Sequence, residues 1–110
     1  MIAENITQSE LDSARQTRKK IKEHLKNLIV PGSVLVIPTA PCIAPLIDEN
    51  TATLDSFRAN TMALTCIAGL GSLPQISMPV LSVEECPVGV SLVGAPGSDE
   101  QLMKLANKLA

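Results

Sequence analysis

The feature that most constrains the fold is a short β-branched run followed by closely spaced prolines. Residues 34–37 (Val-Leu-Val-Ile) lie between Gly32 and Pro38, and a continuous apolar run of this length is typical of a strand covered on both faces. The next segment, residues 39–45, holds two further prolines, whose spacing forbids both a helix and a central strand. Buried strands of this kind usually belong to α/β sheets, so we predict an α/β protein with an extended loop after this strand.

A first helix is predicted ahead of the strand. Apolar residues recur every three or four positions over residues 11–28, interrupted only by Arg18, while lysine and glutamate fill the other face. Thr7 and Glu10 have the spacing of a capping box. We therefore expect an amphipathic helix over residues 9–29, with its basic stretch as a solvated face.

A second helical pattern starts near Asp55 and becomes apolar nearly all round. This pattern predicts that the second half of the helix is buried, and Gly69 is available for the left-handed conformation that ends many helices.

Two further strands and a last helix complete the chain. The strands are expected at residues 75–78 and 88–93, joined by a polar turn at 84–87 that is short enough for an antiparallel pair or a neighbouring-strand connection. The last helix should follow Ser98, which has capping-box spacing to Gln101.

The predicted order is α-β-α-β-β-α in a single segment over residues 1–110, with residues 1–8 as a poorly ordered N-terminal end. A chain of 110 residues allows one hydrophobic core. Because Phe57 is the only aromatic residue, that core must be built from aliphatic side chains and methionine.

Charge and cysteine usage narrow the class of protein. Nine basic and eleven acidic residues give a net charge of -2, and the one basic cluster is interleaved with acids, so nucleic acid is not expected as a partner. The apolar runs are too short to cross a membrane. Cys42, Cys66 and Cys86 form an odd set without a C-x-x-C pair, which favours a reducing, cytoplasmic setting.

No complete catalytic, cofactor or metal constellation is found in the sequence. The one histidine, His24, lies on the polar face of the first helix, and the adjacent acids at 48–49 and 84–85 fall in predicted turns. The three cysteines and His24 belong to unrelated elements. We therefore predict no catalytic, cofactor-binding or metal-binding residue in this chain.

Several motifs, taken in order, resemble the C-terminal part of the amidase signature enzymes. The resemblance covers about residues 10–110 and is carried by Val-Leu-Val-Ile-Pro-Thr-Ala-Pro at 34–41, by Leu-Pro-Gln-Ile-Ser-Met-Pro at 73–79 and by Pro-Val-Gly-Val-Ser-Leu-Val-Gly at 87–94. Gly71 and Ser72 are interposed before Leu-Pro, a variant similar to the branch that includes indoleacetamide hydrolases.

The resemblance implies a mixed-sheet α/β/α fold, of which this chain is an incomplete piece. It also implies hydrolysis of carboxylic amides by a lysine and two serines, without a metal or organic cofactor, in the intact enzyme. No Gly/Ser-rich segment like the one that carries those residues is present here, so they would lie upstream of Met1. In that family the loop after the first of these strands approaches the substrate cleft, which makes Thr39, Ala40, Pro41 and Cys42 candidate cleft residues.

Two functional hypotheses remain open at this level. The first is a fragment of an amidase, inactive alone, whose partner is the missing N-terminal portion or, through an exposed sheet edge and helix faces, another copy. A small-molecule amide would then be a substrate only of the intact enzyme. The second hypothesis is a stand-alone, non-catalytic accessory or binding module that uses the helix start at 94–98.

Overall fold

A computed structural model of the chain describes residues 2–110. A short 3-10 helix at Ile2–Asn5 precedes the first α-helix, and the poor order expected of residues 1–8 stays a prediction. The predicted order of helices and strands is confirmed. The elements are α1 (Gln8–Leu28), β1 (Val34–Pro38), α2 (Thr51–Gly71), β2 (Gln75–Val83), β3 (Cys86–Gly94) and α3 (Asp99–Leu109).

The three strands form one antiparallel sheet in the order β1-β3-β2. Of the two connections left open for the last two strands, the structure has the antiparallel pair. Their connection is a two-residue turn in which Glu84 and Glu85 have φ of 50° and 64°, the left-handed pair that type I′ hairpin turns require. β2 does not stop at Met78 as expected but continues through Pro79, with a shift in register between Met78 and Leu81. Because β2 is an edge strand, a residue without a backbone amide is tolerated there.

The helices cover the sheet on two sides. α1 and α2 pack on one face, where Leu25, Ile29 and Ala68 meet Val93 of β3. α3 packs on the other face, where Leu102 and its neighbours meet buried residues of β2 and β3. The chain therefore has three layers, α/β/α, with the most deeply buried apolar side chains on the central strand β3.

The expectation that β1 is covered on both faces is wrong for this chain. Leu35 and Ile37 are half-buried against the α1–α2 layer, but Val36, which points the other way, is 62% exposed. The physical reason is that α3 packs mainly on β2 and β3, which leaves Val36 on the outer face of β1 open to solvent.

The second half of α2 is not buried as expected either. Met62 is 65% exposed, and Ala68 and Gly71 are the buried residues of this helix. Its apolar character is real, but α1 and the sheet touch only part of its circumference. The left-handed cap is also displaced: Ser72, with φ 54°, ends the helix, whereas Gly69 lies inside it.

The two predicted capping boxes have different outcomes. At α1 the box is confirmed, because Thr7 Oγ1 accepts from the Glu10 amide at 3.2 Å and the Thr7 amide donates to the Glu10 carboxylate at 2.8 Å. Donation by the Thr7 amide and then by its hydroxyl lowers the pKa of Glu10. At α3 the box is absent: Ser98 makes no side-chain cap hydrogen bond, and its Oγ donates to the carbonyl of Ala95 at 2.6 Å.

The molecule is a flat slab with a large surface. Its extents are 46 × 43 × 17 Å, and its radius of gyration is 16.6 Å, against about 13 Å for a compact domain of this length. The accessible surface is 8134 Å², about 2,300 Å² more than the roughly 5,800 Å² expected for a self-contained protein of 11.6 kDa. Exposed apolar residues account for part of the surplus, notably Leu46, Ile47, Met62 and Leu81.

Candidate functional site

A chain of three hydroxyl groups crosses the sheet at the end of β1. Thr39 Oγ1 lies 2.7 Å from Ser91 Oγ on β3 and 2.8 Å from Ser77 Oγ on β2. Ser91 is fully buried, while Ser77 is exposed at the other end of the chain. Because a hydroxyl can donate one hydrogen bond and accept others, Thr39 can satisfy both serines at once.

Gly89 makes this arrangement possible. The amide of Thr39 donates to the carbonyl of Gly89 at 3.0 Å, which brings the threonine side chain directly over the glycine. A Cβ atom at position 89 would lie 2.7 Å from Thr39 Oγ1 and 3.0 Å from Ser77 Oγ. A side chain here would therefore push Thr39 away from both serines.

Replacing Thr39 with valine should lower the free energy of unfolding by about 1–3 kcal/mol, because the buried Ser91 hydroxyl loses its partner. Thr39→Ser is the matched control: it keeps the hydroxyl and should cost less than about 1 kcal/mol for the lost methyl. The double variant Thr39→Val/Ser91→Ala should recover most of the loss, since both polar partners are then gone. Urea denaturation of the four proteins checks this, and equal losses for the serine and valine variants would contradict it.

The loop that follows Thr39 arches between β3 and the first turns of α2 and leaves a cleft on each side. One cleft, of about 260 Å³, lies between the loop, Phe57 of α2 and residues 87–89 at the start of β3. The other, of about 550 Å³, lies between the loop and the polar residues of α2 that flank Phe57. Phe57 is half-buried and contributes to the walls of both clefts.

The four residues predicted for a cleft loop all lie at these cavities. Thr39 and Ala40 line the smaller one, Pro41 lines the larger one, and Cys42 lines both. Thr39 is anchored by its hydrogen bonds to the sheet, whereas Pro41 and Cys42 are exposed. The geometry of these residues is that of a cleft wall, and a substrate as the occupant of the cleft stays a prediction.

His24 and the three cysteines lie in four different parts of the described chain. His24 is exposed on α1, and no three histidine, cysteine or acidic side chains of residues 2–110 lie close enough to hold a metal ion. The three cysteines are free thiols. No helix among the described residues is long and apolar enough to cross a membrane.

Sequence reasoning missed Ser77, Ser91, Gly89 and Phe57 as neighbours of the predicted loop. A partial signal was present, because Gly89 and Ser91 alternate with Val88 and Val90 and so share one face of β3. Nothing local shows that this face meets Thr39, since the pairing joins residues 52 positions apart.

Comparison with known proteins agrees with the architecture. The sequence matches the Amidase family model over residues 1–103. It is 39% identical over 100 residues to Amidase 1 of Arabidopsis thaliana, a match that covers 91% of this chain and 24% of that protein. It is 34% identical to Amidase 1 of Oryza sativa subsp. japonica, covering 90% of this chain and 23% of the relative.

Solved structures give the same result. A glutamyl-tRNA(Gln) amidotransferase subunit from Thermotoga maritima superposes with a TM-score of 0.80 at 28% identity, covering 89% of this chain and 21% of that one. The α/β/α fold and the sequence together define the class: this chain belongs to the amidase signature family. It spans about a quarter of the length of the amidases it matches, as expected for a C-terminal piece of such a protein.

Proposed function

We propose that this chain is the C-terminal part of an amidase that hydrolyses carboxylic amides to an acid and ammonia or an amine, and that alone it catalyses nothing. The lysine and two serines of the reaction then belong to the remaining part of the enzyme. This part of the enzyme shapes the substrate cleft through Thr39, Ala40, Pro41 and Cys42. The Gly71-Ser72 variant supports a place near the indoleacetamide hydrolases.

The observation that carries the proposal is the surplus of exposed surface. An excess of about 2,300 Å² is of the size that permanent protein–protein interfaces bury. Exposed large apolar residues occur on all three α-helices, on β1 and β2 and on the loop before α2, so several elements lack a covering layer. The chain matches about a quarter of each related amidase. The rest of such an enzyme is large enough to cover that surface.

The same surface determines how the isolated chain should behave. Both edges of the sheet, β1 and β2, have unpaired backbone groups, and exposed edges beside apolar patches favour association. We therefore propose that the chain self-associates when the rest of the amidase is absent.

We further propose that the substrate of the whole enzyme is a small-molecule amide rather than nucleic acid. We also propose a cytoplasmic location, which the free cysteines support.

A chimera tests the function. In Amidase 1 of Arabidopsis thaliana, the part that matches this chain is replaced by residues 1–110, and hydrolysis is measured with an amide that intact Amidase 1 cleaves. We expect the chimera to be active, because the chain restores the sheet and the cleft loop. The control is Amidase 1 truncated before the matching part, which should be inactive, as should the chain alone.

Two results would overturn the proposal. One is a chimera that is soluble, monodisperse and folded by circular dichroism but hydrolyses no amide. The other is turnover by the isolated chain that follows the protein through every purification step, because the catalytic groups would then lie within these 110 residues.

A further inference from the structure

Phe57 stands out among the residues around the two clefts. It is the only aromatic residue of the chain, and it lies in the second turn of α2, where its neighbours on the cleft side are the polar Thr53, Ser56 and Asn60. Phe57 is half-buried but belongs to neither hydrophobic core cluster, and on the side of the smaller cleft its apolar companions are residues of the cleft wall such as Ala44, Pro45 and Val88.

Phe57 lines both cavities, as do Cys42, Ala44 and Pro45. Its ring is part of the wall of the 260 Å³ cleft on the β3 side and of the 550 Å³ cleft on the α2 side. Aromatic side chains have few rotatable bonds, so they form firm walls at low entropic cost. Truncation of this ring would enlarge the smaller cavity and so relax the limit on the size of a group bound in it.

The chemistry of the smaller cleft restricts what it can hold. No charged side chain lines it, and its polar side chains are the Thr39 hydroxyl and the Cys42 thiol beside alanine, proline and valine. Among the residues that line either cleft, Glu49 at the larger one is the only charged residue. This part of the enzyme therefore offers an anionic group no cationic partner in exchange for its hydration, and Glu49 would repel it.

We infer that Phe57 is a specificity-determining residue of the complete amidase and that the smaller cleft holds the uncharged acyl group of the amide, limited in size by the Phe57 ring. This inference rests on the proposed function and adds the substrate class and the residue that selects it. The Thr39 hydroxyl, anchored by Ser91, holds the start of the opposite wall in place.

The chimera described above provides the test. Values of kcat/KM are measured for primary amides of increasing acyl size, and for pairs whose acyl chain ends in a methyl group or in a carboxylate. We expect the chimera to prefer the neutral member of each pair by tenfold or more. Phe57→Ala should shift the preference toward larger acyl groups by about tenfold or more, whereas Phe57→Leu should shift it less.

Met62→Ala is the matched control. Met62 lies on the same helix, is 65% exposed and lines neither cleft, so its removal should leave the selectivity ratio unchanged. The inference is overturned if Phe57→Ala and Phe57→Leu, both folded and active, keep the ratio of the parent, or if neutral and anionic acyl groups are hydrolysed equally well. An inactive parent chimera would instead refute the proposed function, and the inference with it, before any variant is compared.

Discussion

Gly94→Ala is expected to lower the free energy of unfolding of this chain by about 1–3 kcal/mol. Gly94 ends β3, and a Cβ atom there would overlap Leu102 Cδ1 and Ser98 Oγ. Neither neighbour can move freely, because Leu102 is 3% exposed in the core under α3 and Ser98 Oγ is hydrogen-bonded to the Ala95 carbonyl. The added methyl group therefore has to displace the first turn of α3 from the sheet.

Gly69→Ala provides the control for this substitution. Gly69 lies inside α2, and a Cβ atom added there would have nothing within 4 Å, so alanine should raise stability by about 1 kcal/mol through its helix propensity alone. Urea denaturation followed by circular dichroism gives both values. A Gly94→Ala protein as stable as the parent would contradict this prediction, because it would show that Leu102 and Ser98 can move aside at the junction of β3 and α3.

Leu92→Ala is expected to cost about 2–5 kcal/mol, the usual range for a fully buried leucine. Leu92 is 2% exposed and packs with Met78, Leu102 and Ala106 between the sheet and α3. No other element is available to fill the space that its side chain leaves. The result should appear as a lower denaturation midpoint with an unchanged slope.

Val36→Ala is the comparison for that substitution. Val36 lies directly opposite Leu92 in the sheet and on the same face, yet it is 62% exposed. In the isolated chain, its truncation should lower the free energy of unfolding by less than about 1 kcal/mol, because only strand propensity and partial burial are lost. In the chimera the cost should rise, because the proposed amidase portion covers this face. An equal cost in both contexts would contradict the proposed covering of β1.

The order of the elements could be predicted because it depends on local physics, although α2 begins at Thr51 rather than near Asp55 and β2 continues to Val83 rather than ending at Met78. Proline ends the α1 pattern and β1, and the short polar turn at 84–85 joins β2 and β3 as an antiparallel pair. The capping box at Thr7 and Glu10 formed as its spacing predicts. The box at Ser98 did not form, because the backbone of Ser98 (φ −92°, ψ 19°) is not extended as at Thr7, and its side chain makes no cap hydrogen bond.

Burial was predicted less well, because it depends on what lies beside an element. The apolar pattern of α2 indicates a helix that needs a covering layer, yet Met62 is exposed in this chain. The β-branched run of β1 likewise predicts burial on both faces, yet Val36 is exposed. In both places the apolar pattern indicates a covering layer that these 110 residues do not provide. This agrees with the finding that the chain covers only about a quarter of the related amidases.

The sequence by itself determined the α/β class, the order of the six main elements and the likeness to the amidase signature enzymes, because helix periodicity, strand composition and proline placement act over a few residues. Only the tertiary structure decided that Thr39, Ser77 and Ser91 share one hydrogen-bonded chain and that Phe57 lines two clefts. Those contacts depend on strand register and on the packing of α2 beside the loop, and both are set by interactions between residues far apart in the chain.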